Sequence, residues 1–102
     1  MKPLAPSTAV ALPGARDRVR EILRRHGLHK PRVFGSTARG EDTAESNLDL
    51  LVDVESGFGL MAIARAQRQI EELLGVSVQI TIEGSLQTPA IRDPILREAV
   101  PL

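Results

Sequence analysis

The chain has 102 residues, with 13 Lys plus Arg balanced by 13 Asp plus Glu, and no Cys, Trp or Tyr. Neutral charge without aromatic platforms excludes a general nucleic-acid binder, and the missing thiols exclude a disulfide frame, a zinc ribbon and a cysteine nucleophile. With no apolar run of the roughly 20 residues a bilayer demands and no signal-peptide plan, the expectation is one small cytoplasmic domain with no membrane association.

Residues 1–14, punctuated by Pro3, Pro6 and Pro13, are expected to form a flexible arm, with the folded domain over 15–102. From Ala15, Val19, Ile22, Leu23 and His26 recur at helical spacing until Gly27 stops them. His26 and His29 have no second ligand at metal spacing and are read as structural. After Pro31, the run Arg32-Val33-Phe34 predicts a strand that breaks into Gly35-Ser36-Thr37-Ala38-Arg39-Gly40 and a helical start. Such a turn aims backbone amides at an anion.

Asn47 to Val54 alternates with period two. Leu48, Leu50, Val52 and Val54 fall on one side, and Asn47, Asp49, Leu51 and Asp53 on the other, which predicts a strand with opposed faces. Leu60, Ile63, Ile70, Leu73 and Leu74 predict a longer helix ended by Gly75, and Val76, Val78, Ile80 and Ile82 a third strand. Asp93-Pro94 reads as the N-cap and first residue of a closing helix carrying Ile95, Leu96, Ala99 and Val100. The expected fold is a small α/β domain, helices flanking a three-stranded sheet.

Asn47 and Asp49 project from one strand face just after a turn suited to phosphate. That spacing suits a Mg²⁺ ion bridging protein oxygens to a nucleotide's phosphates. Either element alone is weak evidence, since most Gly-Ser turns are only turns and a strand Asp is often just solvated.

Together, Gly35-Ser36-Thr37-Ala38-Arg39-Gly40 and Ser46-Asn47-Leu48-Asp49-Leu50-Leu51-Val52 resemble the signature of the minimal nucleotidyltransferases, small members of the DNA polymerase beta-like superfamily. The likeness continues through Glu72-Leu73-Leu74-Gly75 to the closing Ile95-Leu96-Arg97-Glu98-Ala99-Val100 and spans residues 15–102. It implies a nucleotidyltransferase fold with a mixed sheet, a nucleoside triphosphate such as ATP bound with Mg²⁺, and transfer of a nucleotidyl group to a hydroxyl. It further implies an antitoxin paired with a helical HEPN-type toxin. Carried over, Gly35, Ser36 and Arg39 are the nucleotide-binding positions. Asn47, Asp49 and Gln79 occupy the three acidic positions of the catalytic site, the first two being the metal positions of the central strand.

Two of those three acids are replaced here, by Asn47 and Gln79. An amide oxygen coordinates as a dipole and brings no charge, so Mg²⁺ affinity is expected to be weak or lost. Glutamine has no basicity near neutral pH, so chemistry is expected to fall further than binding. Asp53 lies about 13 Å along the strand from Asp49, at roughly 3.3 Å per residue, too far to share an ion; Glu45, just ahead of the strand, is the nearer substitute. The alternative expectation is an inactive relative that covers a protein partner. Because a domain this size buries only about 60 to 70% of its unfolded surface, a partner or a second copy would add stability.

Overall fold

The structure, a computed structural model, describes residues 8–35, 47–57 and 59–102. Among these, helix α1 (Thr8–Arg25) is followed by strands β1 (Leu28–Phe34) and β2 (Leu48–Val54), helix α2 (Leu60–Leu74) and strand β3 (Val78–Ile82). A 3-10 turn (Glu83–Ser85), helix α3 (Pro89–Glu98) and strand β4 (Val100–Pro101) complete the chain. The four strands form one mixed sheet in the order β3-β2-β1-β4. β1 is antiparallel to both neighbours, and β2 runs parallel to β3 with α2 as the crossover that a parallel pair requires.

The core lies between the sheet and helices α1 and α2. Val19 and Leu23 of α1, and Ala66, Ile70 and Leu74 of α2, meet Val33 of β1, Leu48, Leu50 and Val52 of β2 and Val78 and Ile80 of β3. The 3.6-residue period of the helices and the two-residue period of the strands therefore converge on one apolar layer, each fully buried Leu or Val contributing about 1.5–3 kcal/mol. On its outer side α1 is laced by ion pairs of Asp17 with Arg20 and of Glu21 with Arg24 and Arg25. α2 ends as its sequence predicts, with Gly75 left-handed at φ 73° and its N–H donating to the Glu71 carbonyl at 2.8 Å.

Four expectations need correction. The first helix begins at Thr8, inside the segment expected as an arm. The sheet has four strands in place of three, because Ala99 turns extended and Val100–Pro101 leave the expected helix to pair with Arg32 and Val33. α3 starts at Thr88-Pro89, an earlier cap-and-proline pair of the same type, and Pro94 lies inside it. The carbonyl Pro94 cannot serve belongs to exposed Ala90, where water is at hand. Finally, the second face of β2 is not wholly polar, since Leu51 is as completely buried as Leu50 while lying outside the main core cluster. The short helix expected after the Gly-Ser turn falls outside the described residues, as does Phe58. No described helix is long and apolar enough to cross a membrane.

Candidate functional site

β1 ends at Phe34, whose register partner on β2 is Asp49, so the chain leaves the sheet immediately beside that carboxylate. Gly35 makes the exit with φ 77°, a left-handed conformation that L side chains avoid. Space adds a second requirement for glycine. A methyl group built on Gly35 would overlap the Asp49 carboxylate oxygen and stand 3.2 Å from its Cγ. The Gly35 N–H donates to Glu98 Oε1 at 2.7 Å, a contact spanning 63 residues of sequence. Carboxylates from β2 and α3 thus converge on the first residue of the turn.

On its other side Asp49 pairs in register with Gln79 of β3, which is exposed between buried Val78 and Ile80. Paired residues share a sheet face, so Gln79 is the cross-strand neighbour of Asp49 on the face away from the α1–α2 core. Asn47 sits one residue ahead of β2 and is exposed. The structure therefore brings together Gly35, Asp49 and Gln79 with Asn47 at the strand entrance. Ser36, Arg39 and Glu45 lie outside the described residues.

Farther along this face, Arg32 is a half-buried cation between Asp53, at 3.4 Å, and Glu83, with its Nε–H donating to the Lys30 carbonyl at 2.7 Å. Asp53 and Glu83 are thereby committed to Arg32 and line a separate polar groove of about 470 Å³ with Gln87 and Arg92. A larger groove of about 630 Å³ runs between α1 and α2 past Ile22 and Leu73, on the helix-covered side of the sheet.

The donor chemistry decides which metal arrangement fits. Among the described residues no three His, Cys, Asp or Glu side chains gather as a metal cage. Asp49, flanked by the neutral amides Asn47 and Gln79, supplies a single negative charge from the three strand positions. Mg²⁺ is commonly held by one or two carboxylates with substrate phosphates completing its octahedron, so one ion at Asp49 fits and a three-carboxylate, two-ion site does not. Glu98 escaped the sequence reading as a site residue, because the expected helix ran on through Ala99 and Val100 and nothing in the sequence marked this acid as a helix end.

Comparison with known proteins agrees with this architecture. A family model of the nucleotidyltransferase domain matches residues 16–102. The chain is 38% identical over 79 residues to MJ0435, a candidate protein adenylyltransferase of Methanocaldococcus jannaschii, covering 78% of this chain and 84% of that protein. It is 36% identical over 81 residues to the protein adenylyltransferase MntA of Thermococcus cleftensis, covering 79% and 81%. Among solved structures, a candidate minimal nucleotidyltransferase superposes with a TM-score of 0.83 at 46% identity, over 92% of this chain and 95% of that one. A toxin-antitoxin structure with AMP-PNP shares the fold, with a TM-score of 0.69 at 15% identity over 83% and 69% of the two chains. A sheet that delivers a glycine turn against a strand carboxylate, matched over nearly its whole length in sequence and shape, makes this chain a member of the nucleotidyltransferase domain family, of the minimal type.

Proposed function

We propose that this protein is a cytoplasmic antitoxin-type minimal nucleotidyltransferase that holds ATP at the Gly35–Asp49 junction and transfers its AMP group to a hydroxyl of a HEPN-type toxin, breaking the α–β phosphate bond and releasing pyrophosphate, at a rate limited by its missing acids. The observation that carries this reading is the approach of Asp49 to Gly35 at the end of β1, with Gln79 beside it in register. The names of the adenylyltransferase relatives and the toxin-antitoxin structure with AMP-PNP support the substrate and the setting. Ser36 and Arg39 bind the triphosphate, and Gly35, whose N–H is taken by Glu98, lets the backbone approach it closely. Asp49, with Asn47 beside it, holds a Mg²⁺ ion, which when bound supplies neutralisation of phosphate charge.

The chain's own residues set the limit on rate. Gln79 occupies the position from which an acid would draw the proton off the attacking hydroxyl, and its amide cannot accept that proton near neutral pH. Asn47 contributes a dipole where a second charge would tighten the ion. Because the chain contains no tyrosine, any tyrosyl product must lie on the partner. The test is incubation of labelled ATP and Mg²⁺ with the cognate HEPN-type protein. Slow label transfer that rises on joint Asn47→Asp and Gln79→Asp substitution supports the reading; no transfer by either form contradicts it.

A second reading, an inactive module that neutralises the toxin by covering it, is favoured by apolar side chains left in solvent. Leu60 is 81% exposed, Met61 67% and Ile91 57%. Co-purification and light scattering test it: a stable complex formed equally with and without ATP supports it, and a chain that stays monomeric beside the toxin removes it.

A further inference from the structure

We infer that Glu98 is a positioning residue of the triphosphate site, acting through Gly35; the inference rests on the reading that this junction binds ATP. Glu98 closes α3, the last helix, yet its carboxylate accepts the N–H of the residue that opens the turn after β1. The placement works against the local electrostatics of a helix C-terminus, where partial negative charge accumulates and cations are favoured. The hydrogen bond that its oxygen accepts from the Gly35 N–H offsets that disadvantage.

Glycine loses more conformational freedom on ordering than any other residue, so a turn opened by Gly35 is costly to hold for a ligand. Here the glycine is fixed from two sides before any ligand arrives. The Asp49 carboxylate crowds its Cα from β2, and Glu98 anchors its N–H from α3. Backbone held in advance at Gly35 spares the nucleotide that residue's ordering cost, and preorganisation of this kind appears as affinity. Glu98 thus acts on the nucleotide by holding the backbone that meets it. Its role calls for an acceptor oxygen at the end of a two-methylene arm, and not for negative charge as such.

Three variants separate these requirements. Glu98→Gln keeps reach and an acceptor oxygen, Glu98→Asp keeps charge but shortens the arm, and Glu98→Ala keeps neither. Binding of ATP with Mg²⁺ is measured by calorimetry, and the melting temperature of each variant by circular dichroism. Positioning predicts that Glu98→Gln binds ATP within about threefold of wild type, while Glu98→Ala and Glu98→Asp weaken it by about tenfold, the loss of one hydrogen bond. If Glu98→Ala fails to fold, the contrast between Gln and Asp carries the same decision. Equal ATP affinity in every folded variant, whatever happens to melting, reduces Glu98 to a structural contact and overturns the inference. So does a Gln variant as weak as the Ala variant, which would assign the effect to charge. Absence of ATP binding by the wild-type protein itself overturns the proposed function beneath, and this inference with it; the two failures are told apart by the wild-type titration.

Discussion

Replacing Gly35 by alanine tests the junction of turn and carboxylate directly, because a second glycine in the same chain serves as a control. Gly35 and Gly75 share a left-handed backbone, with φ 77° and 73°, but a methyl group at Gly75 meets nothing within 4 Å whereas one at Gly35 collides with the Asp49 carboxylate. Gly75→Ala therefore carries only the left-handed penalty, about 1–2 kcal/mol. Gly35→Ala carries that penalty and the displacement of a packed carboxylate, which adds about 1–3 kcal/mol as overpacking does. The entropy that alanine removes from the unfolded chain is common to both and cancels. Urea unfolding followed by circular dichroism suits a chain without Trp or Tyr. A double-mutant cycle completes the case: in an Asp49→Ala background the Gly35→Ala cost should shrink to the Gly75→Ala value. Equal costs at the two glycines in the wild-type background, or no relief on removing Asp49, would refute the geometry.

Arg32→Ala should destabilise by about 1–2 kcal/mol, since it leaves Asp53 and Glu83 without their shared, 20% exposed partner, whereas Arg68→Ala, breaking a surface pair at 3.7 Å, should cost close to nothing in the same denaturation assay. Leu51→Ala should cost about 2–5 kcal/mol, as a core leucine does, although its strand position reads as polar. Hydrogen bonds from Arg24 and Arg25 hold the Glu21 carboxyl below the usual glutamate value of 4.5, so its contribution to stability is present above that pH and is lost as pH falls through the lowered value. Wild type and Glu21→Gln should therefore differ in melting temperature at neutral pH and converge in acid. Joint Asn47→Asp and Gln79→Asp substitution should tighten Mg²⁺ binding measured in the presence of ATP, because two charges replace two dipoles beside Asp49.

The elements most legible in the sequence are those whose burial has a single period. The alternation through β2 and the helical spacing of Leu60 to Leu74, with its glycine stop, reappear in the structure with bounds within a residue of the reading. Gln79 enters the sequence reading through the family resemblance alone; its register with Asp49 comes from the parallel β2–β3 pairing, which no local pattern specifies. Leu51 was misleading, since period two assigns a residue to a face but does not say whether that face is covered. β4 was invisible: two residues, one of them proline, show no alternation and pair only because the chain returns along β1. The start of α3 was misplaced because two cap-and-proline pairs five residues apart carry the same local signal. Glu98 depends on a contact across 63 residues, and the expected helix ran past it through Ala99 and Val100, so no local pattern marked it.

In the proposed function Asp49, the one charged residue beside Asn47 and Gln79, grips a cation-bound triphosphate against the Gly35 turn. A calorimetric titration of ATP into the wild-type protein and into Asp49→Asn, each with and without Mg²⁺, measures this directly. Binding by the wild-type chain should strengthen with Mg²⁺, and Asp49→Asn should lose that Mg²⁺ dependence. Binding in the variant that still strengthens with Mg²⁺ to the wild-type extent, or no heat from the wild type at all, would contradict it.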